Sequence, residues 1–214
     1  MRTLLMDMDG VIVDSEKLHE DADRVAFKAY GLQVPEEEFA QMHGVPAIRI
    51  FEDIAQRYGT PDLDWRAMLR YKHQWFRTQM HQIQPIEGVL AFIPNARHAG
   101  LRIGLVTSSG KPYQQFIFEK FRLHDHFDHV VTIEDVTHGK PHPEPYRTGA
   151  ARFGALPANC WVIEDAPSGV QAAREAGCRV IGITSTVSHH RLEAAGAHHI
   201  FSDYQQISHF LLGK

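Results

Sequence analysis

Apolar and polar positions along the chain follow two rhythms. Over residues 15–83 the apolar positions recur at three and four. Leu18, Ala22, Val25, Ala26 and Ala29 predict a helix over 15–30, with Ser15 as N-cap and Gly31 as its end. Pro35 followed by Glu36-Glu37-Glu38 opens a second helix, with the proline at the first helical position. A third spans 47–58 between Gly44 and Gly59. A fourth follows Pro61-Asp62 and carries Trp65, Met68, Leu69, Lys72, Trp75, Phe76 and Met80. From Gln84 onward short apolar runs alternate with helical patterns. Helices are predicted at 85–99, 113–121, 143–153 and 168–176, and strands at 102–107, 129–132, 160–165, 179–183 and 200–201. The run Leu4-Leu5-Met6 near the start suits a buried parallel strand. Strands separated by helices of about 10–15 residues predict an α/β fold, a doubly wound, Rossmann-like parallel sheet. Residues 15–83 are too long for a simple crossover and read as an inserted all-helical cap domain, leaving 1–14 and 84–214 as the catalytic core domain.

Composition narrows the function. The chain has 214 residues, 43% hydrophobic and 22% charged, enough for one large or two smaller cores. A net charge of -4 leaves no basic footprint for nucleic acid or an anionic membrane. No apolar run approaches the roughly 18–20 residues of a membrane span. The start runs straight into a strand pattern, so a cytoplasmic setting is expected. Cys160 and Cys178 make no disulfide framework, which agrees with that. Among fifteen histidines, the pairs His189-His190 and His198-His199 invite a metal reading. Neighbouring histidines point apart on a helix and have no cysteine at ligand spacing, so they are read as surface residues. The expected partner is a small molecule, with no nucleic acid and no membrane, and the expected state is a monomer or weak homodimer.

The chemistry collects at predicted strand ends, where open α/β sheets bind ligands. Asp7 and Asp9 follow the first strand at i and i+2, a spacing that puts side chains on one strand face, and Gly10 lets the chain turn away. Alone, this is either a solvated strand end or a Mg²⁺ site in which one carboxylate is also a nucleophile. Thr107-Ser108-Ser109-Gly110 ends the second strand, Gly139-Lys140-Pro141 lies in the next loop, and Glu164-Asp165 ends the fourth. Acids can hold a hard cation, hydroxyls and N–H groups before the 113–121 helix can hold an anion, and Lys140 can neutralise a phosphate or a carboxylate.

Asp7-Met8-Asp9-Gly10-Val11, Val106-Thr107-Ser108-Ser109, Gly139-Lys140-Pro141-His142-Pro143 and Ile163-Glu164-Asp165-Ala166-Pro167-Ser168-Gly169 resemble the four motifs of the haloacid dehalogenase superfamily. The helical insert resembles the small cap of its β-phosphoglucomutase-like and sugar-phosphate phosphatase branch. The resemblance implies that Asp7 is a nucleophile that becomes an aspartyl-phosphate. It makes Asp9 the general acid and base, with its carbonyl on Mg²⁺, and it gives the phosphoryl group to Thr107, flanked by Ser108 and Ser109. Lys140 would steady the transition state. Asp165 would be a Mg²⁺ ligand, and Glu164 a ligand or the support of one. Cap positions matching the mutase-like branch are His19, Gly44, Val45 and Lys72; the structural alternatives are a packed histidine and a solvated lysine. A halide leaving group needs no proton, so an acid at Asp9 favours phosphoryl transfer.

The match to the mutases is broken at two places. Gly44-Val45 is followed by Pro46-Ala47 rather than an arginine two residues on, and Ser109 by Gly110-Lys111 rather than a basic residue and an amide. The expectation is therefore a Mg²⁺-dependent phosphatase for a sugar or polyol phosphate, ahead of a phosphosugar mutase and of a non-catalytic binding protein on this fold.

Overall fold

A computed structural model describes residues 2–213 and divides the chain into two compact units. One holds the chain up to Asp14 and again from Pro85; the other is Ser15–Gln84.

The first unit is built on a six-stranded parallel sheet. Its strands are β1 (Thr3–Met6), β4 (Arg102–Val106), β5 (His129–Val131), β6 (Cys160–Glu164), β7 (Arg179–Ile183) and β8 (His199–Phe201), in the order β5-β4-β1-β6-β7-β8. Two further strands, β2 (Val13–Asp14) and β3 (Gln84–Pro85), pair as a small ladder. β1 is fully buried and central, with Leu5 opposite Gly104 of β4 and Val162 of β6. A strand buried on both faces favours apolar residues on both, which is why Leu4-Leu5-Met6 does not alternate, and the buried hydroxyl of Thr3 accepts from Arg102 at 3.2 Å. Crossover helices follow the strands: α5 (Val89–His98), α6 (Lys111–Phe121), α7 (Glu144–Arg152), α8 (Pro167–Ala176), α9 (His189–Ala194) and α10 (Tyr204–Leu212). Leu5, Val106, Tyr146, Val162, Val170 and Val180 share one buried cluster between sheet and helices. Because all strands run parallel, the ends of β1, β4 and β6 open onto one edge.

The second unit contains α1 (Glu16–Ala29), α2 (Glu36–Met42), α3 (Ala47–Tyr58) and α4 (Trp65–Gln79). Their apolar stripes meet in a cluster of Ala26, Phe27, Phe39, Ile50, Phe51, Ile54, Met68 and Leu69. Asp64 caps α4 by accepting the Ala67 N–H at 3.0 Å.

Element ends shift from the sequence reading at several places, among them three helix starts. The helix expected at 85–99 begins at Val89, because Gln84–Pro85 is taken by β3 and Gly88, at φ +82°, turns the chain before the helix. α6 begins at Lys111, two residues before the expected start. Pro35 precedes α2 instead of forming its first residue. The sequence reading assigned neither α9 nor α10. α9 is six residues long, too short to show a period, whereas α10 does carry a stripe of Tyr204, Ile207 and Leu211 and a working cap, Asp203 accepting the Gln206 N–H at 2.9 Å.

Candidate active site

The strand-face argument for Asp7 and Asp9 needs correction: β1 ends at Met6, and both acids lie past it. The Asp7 N–H still reaches back to the sheet, donating to Ile163 at 3.1 Å. The chain then folds into a tight loop in which the Met8 carbonyl accepts from Ile12 at 2.7 Å and Val13 at 3.0 Å. Gly10, at φ +70°, sits against Asp165, and a Cβ there would overlap the Asp165 carboxylate and the Thr186 hydroxyl. Glycine is therefore required twice, by backbone conformation and by the approach of an acid.

Several elements deliver side chains around this loop. Lys140, from the segment between β5 and α7, puts its Nζ 2.9 Å from Asp7 Oδ1 and 2.6 Å from Glu164 Oε1, and it donates to the Val106 carbonyl at 3.1 Å. Glu164, at the end of β6, is 0% exposed. Its Oε1 also accepts from the Tyr146 hydroxyl at 2.6 Å, and its Oε2 from the Asp165 and Ala166 N–H groups at 3.2 and 3.4 Å. Gly169 in α8 packs on this carboxylate, and a Cβ there would collide with it. Thr107, just beyond β4, is buried; its N–H donates to Val131 at 2.9 Å and its Oγ1 accepts the Ser109 N–H at 3.0 Å. Ser109 in turn donates through Oγ to Asp9 Oδ2 at 2.8 Å, while Ser108 is exposed. The other Asp9 oxygen, Oδ1, accepts from the Tyr113 hydroxyl at 2.9 Å.

The electrostatics are unbalanced. Oxygens of Asp7, Glu164 and Asp165, all buried, fall within 4.8 Å of one another. Like charges at such spacing repel by roughly 3–4 kcal/mol per pair at an intermediate effective dielectric. Burial pushes the Asp7 carboxyl up to about 7; Lys140 pulls against this, and the Glu164 and Asp9 charges add to it. Burial, followed by the charges of Glu164 and Asp7, holds Asp165 well above the usual carboxylate range. Burial alone would lower the Lys140 ammonium, but Asp7 and Glu164 outweigh it and hold it above its ordinary value. One ammonium thus faces three buried acids, and the donor set is all oxygen, so the residues fit a hard divalent cation such as Mg²⁺. Asp7 and Asp165 have carboxylate oxygens to offer it, whereas the oxygens of Glu164 already serve Lys140, Tyr146 and two backbone N–H groups.

Residues 4–183 match the pattern of the family described as haloacid dehalogenase-like hydrolase. The chain belongs to the haloacid dehalogenase-like hydrolases. Fructose-1-phosphate phosphatase YqaB of Escherichia coli K12 is 32% identical over 181 residues, covering 84% of this chain and 95% of that one. Hexitol phosphatase A of the same organism is 32% identical over 188 residues, covering 88% and 85%. Among solved structures, a hydrolase from Pseudomonas syringae superposes with a TM-score of 0.86 at 22% identity, covering 100% of this chain and 99% of that one, and so shares the fold.

In this dehalogenase-like hydrolase the four motif segments come together at one sheet edge, but three contributors escaped the sequence reading. Tyr113 and Tyr146 lie on helices whose patterns looked purely structural, and Thr186 lies in a loop. Tyr146 gave no signal beyond an apolar position. In the sequence Tyr113 stands only as the start of the helix expected at 113–121, which begins at Lys111.

The four residues singled out in the insert are held within the helical unit in different ways. Lys72 is 3% exposed, neither solvated nor snorkelling as its structural alternative required. Its Nζ lies 2.6 Å from Asp23 Oδ1, and burial raises the Asp23 carboxyl against the pull of Lys72. The His19 ring stacks on Phe76, centroids 4.3 Å apart and 8° from parallel. Gly44 has φ +74°, and Val45 packs against the four-helix cluster. His189-His190 opens α9 and is exposed. His198 accepts the Val180 N–H at 2.9 Å, and His199 packs on Phe210, centroids 4.3 Å apart.

Proposed function

We propose that this hydrolase is a Mg²⁺-dependent phosphatase that cleaves a small sugar or polyol monophosphate through an aspartyl-phosphate on Asp7. The observation that carries the reading is the pairing of Asp7, buried and held by Lys140 through Oδ1, with Asp9, whose carboxylate is oriented by Ser109 and Tyr113. The names of the two Escherichia coli relatives point to the same substrate class.

The Oδ2 atom of Asp7, the oxygen not facing Lys140, attacks phosphorus. The ester oxygen leaves with a proton from Asp9. Asp9, now a carboxylate, takes a proton from water; the water oxygen attacks phosphorus, and the Asp7 carboxylate is released with orthophosphate. Thr107 and Ser108 hold the phosphoryl oxygens in line during both steps. Lys140, fixed by Glu164 and the Val106 carbonyl, offsets negative charge on Asp7 and the phosphoryl group. Bound at Asp7, the Asp9 carbonyl and Asp165, Mg²⁺ would supply further charge neutralisation. Glu164 is assigned to positioning Lys140 and not to the metal. We assign substrate choice to the inserted helical unit, where Lys72 serves Asp23 instead of a ligand.

A mutase handling two phosphates is disfavoured. Lys111, the cation nearest the register of the mutase pattern, lies with Nζ 3.9 Å from Asp135, and its N–H donates to Glu134. Orthophosphate release from a panel of hexose, pentose and hexitol phosphates, with and without Mg²⁺, tests the proposal. Turnover on part of the panel that disappears on chelation is expected. Absence of turnover throughout, or conversion of glucose 1-phosphate to glucose 6-phosphate without orthophosphate, contradicts it.

A further inference from the structure

A second convergence of ligand groups lies away from the Asp7 carboxylates. His138 and His142 belong to the segment that carries Lys140, and Glu144 is the first residue of α7. One donor atom of each falls within 4.8 Å of the others. His138 Nδ1 is 3.0 Å from Glu144 Oε2, to which it is hydrogen-bonded, and His142 Nδ1, which accepts the Glu144 N–H at 3.2 Å, is 3.8 Å from the same oxygen; an ion bound there would take the place of both hydrogen bonds. An ion about 2.0–2.1 Å from tetrahedral ligands holds them about 3.3–3.4 Å apart, a value these two spacings bracket. The imidazole centroids are 4.6 Å apart with the rings tilted by 37°.

The carboxylate is fixed in advance. Its Oε1 accepts the Thr137 N–H at 2.7 Å and its Oε2 the His138 N–H at 3.0 Å, the kind of outer support that orients a metal ligand. Both histidines are exposed, so an ion can enter without opening the fold. Two imidazoles and one carboxylate suit a borderline ion of the late first row and not Mg²⁺, which prefers oxygen alone.

We propose that His138, His142 and Glu144 form a surface site for a late first-row divalent ion, Zn²⁺ foremost, separate from the carboxylate site at Asp7. The two histidines flank Lys140 at two residues on either side. An ion bound there ties together both arms of the segment that presents the ammonium to Asp7. This inference does not depend on the phosphatase reading.

Calorimetric titration of Zn²⁺ into the protein in saturating Mg²⁺ tests it, with circular dichroism verifying the fold of each variant. The wild type is expected to bind one Zn²⁺ that His138→Ala and His142→Ala each weaken by at least about tenfold, while Asp165→Ala leaves that binding in place. Isotherms unchanged by both histidine substitutions would mean adventitious binding at other surface histidines and overturn the proposal. Zn²⁺ binding lost in Asp165→Ala but kept in the histidine variants would place the ion at the Asp7 cluster and overturn it equally.

Discussion

Asp7 is a carboxylate where water barely reaches, with two more buried acids beside it and one ammonium to balance them. Three buried acids against one ammonium are costly unless further positive charge offsets them, as a bound cation would. Asp9 sits in a different setting. It is partly exposed, and its two oxygens are held by hydroxyls from separate residues of one segment, Ser109 and Tyr113. Burial pushes Asp7 toward its protonated form, so the nucleophilic role proposed for it needs the charge of a bound cation to return it to the carboxylate. Tyr113→Phe removes one of the two bonds without emptying space. It is expected to lower kcat by up to about tenfold on alkyl phosphates, in line with a hydrogen bond to a charged group, and to leave KM and the rate of the phenolate burst from an aryl ester nearly unchanged. A phenolate burst slowed as much as alkyl turnover would instead assign Tyr113 a general structural part.

Among the elements, strands were the most legible in the sequence. β4, β6 and β7 each appear within a residue of expectation, because fully buried parallel strands must be short apolar runs between turn residues. Helix starts were less legible, since they depend on what precedes them: β3 claimed the residues expected to open α5, and α6 began two residues before its first aromatic side chain, Tyr113. The turn after β5 shows a cap that depends on charge. Asp135 Oδ2 accepts the Thr132 N–H at 2.9 Å and its hydroxyl at 2.8 Å, and Oδ1 pairs with Arg152 at 2.8 Å. Burial works against the charge, but the Thr132 and Arg152 bonds prevail and hold the carboxyl down at about 2. A depressed acid adds stability above its unfolded value near 3.8 and loses it as pH falls through about 2. Asp135→Asn should therefore be less stable than the wild type in urea unfolding at pH about 5, with the gap closing below pH about 4. A gap that stays constant to low pH would show that the charge of Asp135 is not what stabilises the turn.

For the whole molecule, the sequence disclosed the site through the order of its motifs along the chain, since parallel strands bring their ends to one edge whatever their spacing. It could not disclose how long side chains share partners there. Lys140 serving both Asp7 and Glu164, Tyr146 satisfying a buried acid, and Lys72 turned inward to Asp23 are results of packing that no local pattern encodes. The central claim, a phosphoryl group carried on Asp7, is tested most directly by acid-quenched mass spectrometry of the Asp9→Asn variant during turnover of p-nitrophenyl phosphate. The phenolate can leave without the proton from Asp9, whereas release of the phosphoryl group needs Asp9 as base, so the covalent state should accumulate. The account predicts a phosphorylated peptide bearing Asp7, formed with a burst of phenolate and absent from the Asp7→Asn, Asp9→Asn double variant. Steady turnover with no phosphorylated peptide, or a phosphoryl group on any other residue, would contradict it.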